Sequence, residues 1–313
     1  MSPFRPAAFL AAVAVGLVSA AATSAGGAAT DAQLLARYAP VLVLHPAERF
    51  APVPVDGFVA DSDLLVWDTA GVLWVPATVP LEEAPRASRL DQRVCRAIDG
   101  PAAIECYASA EEAHGAPVTL YGAVFRTKTH VALQYWLFYP ANVYSPTVPP
   151  GTFWQSHEGD WEAVTVLLDR GQKPLLAGLS RHCAGARRDW QRMPRRGTHP
   201  LVYVAVGSHA NYFSTGVKLH LRRCWPKEAL AIYRAYRVPI VDHVGVGRTV
   251  RPAVVRISGA APPWMRFRGT WGEDQYVGFP SVAPFRYGAG PVGPAFHQLW
   301  RRPVATPLSW PAG

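Results

Sequence analysis

Thirty prolines and twenty-six glycines are scattered along this chain of 313 residues instead of being pooled in linkers. Residues that break helices at such short intervals leave room for brief extended runs joined by turns. Such runs stand at 41–44, 64–67, 72–75, 118–125, 131–138, 163–168, 201–206 and 253–257, most of them bounded by Gly, Pro, Asp or Ser. Two helices are predicted between them. One covers 31–38, capped by Thr30 or Asp31 and ended before Pro40; the other starts at Pro226 and carries Leu230, Tyr233 and Tyr236 at helical spacing. The fold class that follows is mainly β, a β-sandwich with long loops and one or two short helices. No repeat or low-complexity stretch divides residues 31–313, which read as a single domain.

The N-terminus reads as an export signal. Arg5 precedes an apolar run at 7–22, and small residues follow at Ala20, Ala21, Ala22 and Ala25. A signal peptide over 1–25, cut between 20 and 29, leaves roughly 285 residues, ample for a core. After Thr30 no run is long and apolar enough to span a bilayer. The expected location is therefore secreted, periplasmic or extracellular, with no transmembrane segment once the signal is removed. Export also suits disulfides between the four cysteines, Cys95, Cys106, Cys183 and Cys224. Three pairings are possible; the sequential one closes the shortest loops and would stabilise by roughly 3 and 4 kcal/mol. No Cys-x-x-Cys or paired Cys/His cluster suggests structural zinc.

Charge is divided unevenly. Residues 1–180 hold 11 Lys/Arg against 17 Asp/Glu, while residues 181–313 hold 20 against 5. The densest basic stretch contains Arg181, Arg187, Arg188, Arg192, Arg195 and Arg196 against Asp189 alone, with Lys218, Arg222 and Arg223 beyond it. A surface of this kind attracts anionic lipid headgroups or acidic envelope glycans, and export disfavours nucleic acid as the partner. A solvated arginine-rich loop is the plainer alternative.

Chemistry concentrates in His157-Glu158-Gly159-Asp160-Trp161-Glu162, where a polar loop runs into the apolar strand. Alternation along a strand puts Asp160 and Glu162 on one face and Trp161 on the other, anchored in the core. Two carboxylates side by side call for a cation, and His157, brought in by a turn at Gly159, completes a ligand set of His157, Asp160 and Glu162. Oxygen donors with one imidazole suit Ca, Mg or Mn better than Zn. A second polar turn, Gly207-Ser208-His209-Ala210-Asn211-Tyr212, ends the 201–206 run. There His209 is expected as a further ligand, a general base or an anchor for substrate, and equally as a satisfied turn histidine, with Asn211 and Tyr212 as binding groups. No Gly-x-Ser-x-Gly elbow makes Ser208 a nucleophile. His45 and Glu48 lie close to the first strand and either join this site or form a local salt link. Toward the C-terminus Trp271, with Trp264, Tyr276 and Phe279, is interleaved with Arg266 and Arg268, a pattern suited to a sugar or a membrane surface and equally to a core loop with snorkelling arginines.

Tyr38-Ala39-Pro40, His45-Pro46-Ala47-Glu48, Tyr135-Trp136-Leu137-Phe138-Tyr139-Pro140, the His157 to Glu162 segment and Gly207 to Tyr212 together resemble the vacuolar protein sorting-associated protein 62 family in order and spacing. Trp271-Gly272 and Gly290-Pro291-Val292-Gly293-Pro294 extend that resemblance to the C-terminal part. More distantly, the central segment is similar to the Gly-His-Arg-His-Asp-Trp-Glu motif of the necrosis- and ethylene-inducing-like proteins. That likeness implies a secreted β-sandwich cytolysin fold, a bound divalent cation and a sphingolipid headgroup, with His157, Asp160 and Glu162 on ligand positions. Gly159 stands for the motif's second His, Glu158 for its Arg, and Asn142 is nearest to the upstream aspartate ligand. The reading is a secreted protein that holds a divalent cation at these residues and engages an anionic or glycosylated lipid or envelope component, with Arg187 and Arg188 among its binding groups. The alternatives are a metal-dependent hydrolase of a phosphodiester or glycan, in which His209 or Glu158 moves the proton, and a calcium-stabilised wall or adhesion protein.

Overall fold

The computed structural model describes residues 29–68, 71–74, 79–95, 100–144, 147–148, 151–152, 154–182, 184–219, 241–279, 282–288 and 290–313. The expected export signal, Cys183, Cys224 and the helix expected from Pro226 lie outside them. Strands dominate what is described, and the fold is mainly β, as the punctuated sequence requires.

The centre is a six-stranded sheet in the order β11 (Ala184–Asp189), β10 (Pro174–Arg181), β9 (Gln155–Asp169), β6 (His130–Tyr144), β5 (Thr119–Arg126), β18 (Ala253–Arg256). All its pairings are antiparallel except β18 with β5. β6 is buried along nearly its whole length, because both of its faces are covered. On one face Leu133, Tyr135, Leu137 and Tyr139 meet helix α1 (Asp31–Tyr38) and a five-stranded sheet of β12 (Arg195–Arg196), β13 (His199–Val204), β1 (Val41–Leu44) and β17 (Thr249–Val250), with β14 (Asn211–Tyr212) beside β13. On the other face Trp136, Phe138, Trp161 and Ala163 meet helix α2 (Val55–Ala60) and a four-stranded sheet of β19 (Thr270–Trp271), β4 (Ser88–Gln92), β2 (Ser62–Asp68) and β3 (Gly71–Trp74). Three two-stranded ribbons complete the set: β15 (Gly216–Leu219) with β16 (Val241–Val244), β20 (Gln275–Phe279) with β21 (Val282–Gly288), and β7 (Thr147–Val148) with β8 (Gly151–Thr152).

α1 forms where expected, with Thr30 and Gln33 making a reciprocal capping box. Helix α3 (Gly100–His114) was not expected, although Pro101 and its Ala-rich first turns suit a helix start. Only Gly100, Ala103, Tyr107 and Ala108 of it are buried, so the apolar stripe that marks most helices is faint. The expected Cys95–Cys106 disulfide is present, with Cα atoms 5.8 Å apart, and ties the middle of this helix to the chain after β4. No helix among the described residues is long and apolar enough to cross a membrane.

Two expected boundaries move. β6 runs on past Phe138 to Tyr144, and β9 starts at Gln155, so the segment from His157 to Glu162 lies inside a strand and not in a loop leading into one. Pro140 sits in this central strand because it faces Gly159, where the ladder has no pair: residues 139 and 141 pair with 160 and 158, and register is kept across the gap. Gly159 takes φ +58°, and a Cβ there would lie 2.2 Å from the Trp271 carbonyl oxygen, so only glycine fits.

Candidate functional site

Glu158, Asp160 and Glu162 alternate along β9 on the same side as Tyr139, all buried, as alternation predicts, with Trp161 in the opposite core. Three buried carboxylates on one strand need compensation, since an unpaired buried charge is strongly unfavourable. Each finds a different one.

Asp160 is met by His209. The turn that delivers it requires Gly207 at φ +75°, where a Cβ would lie 2.3 Å from the Val143 carbonyl oxygen, and holds His209 itself at φ +51°, uncommon for a residue with a side chain. The imidazole is fully buried and stacks on the Tyr139 ring at 3.9 Å and 5°. Its Nδ1 donates to Asp160 Oδ2 at 2.9 Å, and its Nε2 lies 3.7 Å from Glu48 Oε1. Glu48 also accepts the Gly207 N–H at 2.7 Å and the Phe50 N–H at 2.9 Å. Burial alone would lower the His209 pKa, but Glu48 and Asp160 outweigh it and push it up to about 9. Burial likewise opposes ionisation of Glu48, yet His209 and the two backbone donors hold its carboxyl below the usual range. His209 is therefore an imidazolium between two carboxylates. Glu48 joins the site and is not locked to His45, whose Nδ1 accepts the Ala47 N–H instead.

Glu162 is treated differently. Ser180 donates to it while accepting the Ala163 N–H at 2.6 Å, and Asn211 Nδ2 lies 3.5 Å away. Burial and repulsion from Asp160 raise its pKa well above the ordinary value, which keeps it neutral. Beside it is a centre with no counterpart in the sequence reading: fully buried Asp242 accepts from Ser208 at 2.7 Å and Tyr212 at 2.7 Å and pairs with His182 Nε2 at 2.9 Å. These partners stand 30 to 60 positions apart, so no local motif announces them. Asn211 and Tyr212, expected as binding groups, are buried parts of this network.

Glu158 opens onto a cavity of about 250 Å³ with His157, Tyr107 of α3, Glu273 and Asp274 on its walls and Cys95 at its edge. Tyr107 donates to Glu158 at 2.9 Å, as do the Gln92 N–H at 3.0 Å and the Glu273 N–H at 3.3 Å. Burial, with repulsion from Asp91 and Glu273, outweighs these donors and pushes Glu158 up to about 7. A carboxyl so poised can accept or release a proton near neutrality. Tyr107 was missed by the sequence reading because nothing local linked α3 to β9.

The expected ligand set does not converge on one point. His157 Nδ1 contacts the Gly159 carbonyl at 2.7 Å and its ring lines the Glu158 cavity, whereas Asp160 is engaged by His209 and Glu162 by Ser180. Among the described residues no group of three or more His, Cys, Asp or Glu side chains is arranged to hold a metal ion. Trp271 is fully buried, packed on Phe138, Trp161 and Phe267, and so belongs to the core instead of to a sugar or membrane surface.

The basic stretch is on the surface. Arg188 lies over the Phe213 ring at 4.6 Å and Arg181 over Tyr212 at 5.4 Å, with Lys218 Nζ 5.8 Å from the same ring. Arg187 is half-buried, its Nε donating to the Trp310 carbonyl at 2.9 Å. Burial and then Arg192 lower the Arg188 pKa; burial and then Arg181 and Arg188 lower that of Lys218. These cations therefore crowd one another. None of Arg181, Arg187, Arg188, Arg192, Arg195, Arg196 or Lys218 forms an ion pair with a carboxylate among the described residues, whereas Arg49, Arg89, Arg93, Arg126, Arg256 and Arg266 each do.

Fold and site together define a mainly β protein built around a buried acid–histidine network, with a basic face beside it that meets no carboxylate among the described residues. In sequence it is similar to two proteins of Saccharomyces cerevisiae, vacuolar protein sorting-associated protein 62 (26% identical over 226 residues, 62% of this chain and 46% of that protein) and vacuolar protein sorting-associated protein TDA6 (27% over 195 residues, 53% and 41%). The resemblance read from its motifs is thus found again, and the chain spans less than half the length of either relative. No known family profile matches it. The necrosis-inducing likeness returns among solved structures: NLPPya in complex with glucosamine (12% identical, 74% of each chain, TM-score 0.35) and Necrosis and Ethylene inducing Protein 2 from the agent of cocoa's Witches Broom disease (14%, 77% of this chain and 81% of that one, TM-score 0.35). A likeness at this TM-score fixes neither topology nor ligand.

Proposed function

We propose that this is an exported binding protein that docks on an anionic component of a cell envelope through the face formed by Arg181, Arg188, Arg192 and Lys218. One observation carries the reading: Arg181 and Lys218 lie over the Tyr212 ring and Arg188 over the adjacent Phe213 ring, near enough for the cations to repel one another, with no carboxylate partner among the described residues. Like charges held this close repel each other, and an anionic surface relieves that repulsion. Guanidinium groups suit phosphate and carboxylate equally, so lipid headgroups and acidic glycans share the required chemistry.

Binding of the full chain to anionic vesicles and to an immobilised polyanion, measured across a salt titration, tests the reading. Wild type is expected to bind both and to weaken steeply as ionic strength rises. With about 1 kcal/mol per cation at an anionic surface, Arg181→Ala combined with Arg188→Ala is expected to lower affinity about thirtyfold. Salt-independent binding, or an unchanged double variant, contradicts it.

A further inference from the structure

The three most exposed large apolar side chains among the described residues are Leu219 at 73%, Val246 at 67% and Val217 at 61%. They are not scattered. Val217 and Leu219 lie on β15, and Val246 lies two residues past the end of β16, the other strand of the same ribbon. Cross-strand pairing fixes the two faces of that ribbon. Lys218 stands opposite Asp242, and Asp242 is fully buried against Ser208, Tyr212 and His182. Val217 stands opposite the exposed His243, and Leu219 opposite Val241. Directly paired residues share a side, so one face of the ribbon is fastened to the molecule and the other presents aliphatic side chains to solvent.

A ribbon whose inner face is held by a fully buried aspartate does not expose its outer face for want of a fixed position. Side chains of this size clustered in the open mark a contact surface. The nature of the contact follows from the neighbours. Lys218, between the two aliphatic residues in sequence, reaches back to the Tyr212 ring, where Arg181 also sits, and Arg188 lies over the adjacent Phe213. Apolar tips next to a cluster of cations match a bilayer interface, which offers acyl chains beneath a layer of phosphate. A soluble polyanion would use the cations and leave the aliphatic tips wet. A second copy docking isologously would bring cations against cations.

Building on the anionic docking just described, we propose that its target is a phospholipid bilayer, with Val217 and Leu219 entering the interface while Arg181, Arg188, Arg192 and Lys218 hold headgroup phosphates. The test is flotation of the full chain with phosphatidylcholine vesicles, with and without phosphatidylglycerol, beside retention on immobilised polyphosphate. Wild type binds the phosphatidylglycerol vesicles and the polyphosphate. Val217→Ser with Leu219→Ser is expected to lose about tenfold or more in vesicle affinity, the scale on which one to two buried aliphatic side chains act, and to keep wild-type retention on polyphosphate. Both residues are largely exposed, so this variant should keep the wild-type melting temperature, which is measured alongside. Vesicle binding equal to wild type in that variant, or a wild type that binds polyphosphate and no vesicle, overturns the membrane proposal and leaves the anionic reading standing. Arg181→Glu with Arg188→Glu is expected to lose both ligands; if it binds both as wild type does, the anionic reading falls and takes the membrane proposal with it.

Discussion

The buried network on β9 and the basic face around Tyr212 are adjacent, and they handle charge in opposite ways. Within the network, Asp160 and Glu48 share one imidazolium, Glu162 is kept neutral, and Asp242 accepts from two hydroxyls and an imidazole. On the face, Arg181, Arg188 and Lys218 meet aromatic rings, Arg192 stands near Arg188, and none of the four meets a carboxylate among the described residues. Charge compensated inside the fold serves stability; charge left uncompensated at its surface is available to a partner. Substitutions in the two regions should therefore separate cleanly, the first lowering stability and the second lowering binding.

The largest expected effect is that of His209→Ala. It removes the cation from between Asp160 and Glu48, takes away the ring stacked on Tyr139, and leaves a carboxylate buried without its partner. Breaking a buried pair in this way costs about 3–5 kcal/mol, read from denaturant unfolding, whereas Arg188→Ala should stay within about 0.5 kcal/mol of wild type. Equal losses from the two substitutions would erase the distinction between the regions.

The next effect is a pH dependence. The His209 imidazole is pushed from its ordinary 6.5 up to about 9 in the fold, so its contribution is complete below pH 6.5 and is lost as pH rises through 9. Wild-type stability should fall across that window by on the order of 3 kcal/mol, and His209→Gln should flatten the fall. Glu48 acts in the other direction: its pKa is held low, so its contribution disappears as pH falls toward and below the ordinary carboxylate range. A wild type equally stable at pH 6.5 and pH 9 would show that His209 does not carry the compensating charge.

These two regions also differ in how far the sequence foretold them. The basic face follows from counting, because Arg181 to Arg196 holds six arginines against Asp189 and a run that polar lies at the surface. On β9, alternation was enough to place Asp160 and Glu162 on one side and Trp161 on the other. What compensates them was not legible. His209 reaches Asp160, and Glu48 reaches His209, from beyond the ends of β13 and β1, parallel neighbours some 160 residues apart, and a pairing of that range leaves no local pattern. His157 and Asp160 stand three residues apart, an odd spacing that puts them on opposite faces once both lie inside β9, and Gly159, expected as the turn that brings them together, is a strand position instead. Motif spacing can place residues along a strand; which of their side chains converge is set by the backbone between them and by what the rest of the fold packs against them.

Glu158 belongs to neither pattern and gives the smallest and most discriminating effect. It is held by three donors like the network residues, yet it borders an open cavity like a surface group. With its pKa raised from 4.5 to about 7, it favours the fold while neutral below pH 4.5 and loses that contribution as pH rises through 7. Glu158→Gln removes the ionisation, which a shift of this size makes worth about 3 kcal/mol at pH 8, but its Nε2 replaces one of the two accepting oxygens, so either the Tyr107 hydroxyl or the Gln92 and Glu273 N–H groups lose their acceptor. The two changes oppose each other, so the variant should differ from wild type by only about 1 kcal/mol at pH 8, the scale of a single hydrogen bond, while the stability slope between pH 4.5 and 7 becomes shallower. A slope unchanged by Glu158→Gln would mean that the three donors hold the carboxylate ionised across this range, and Glu158 would then join Asp160 and Glu48 as a compensated structural charge.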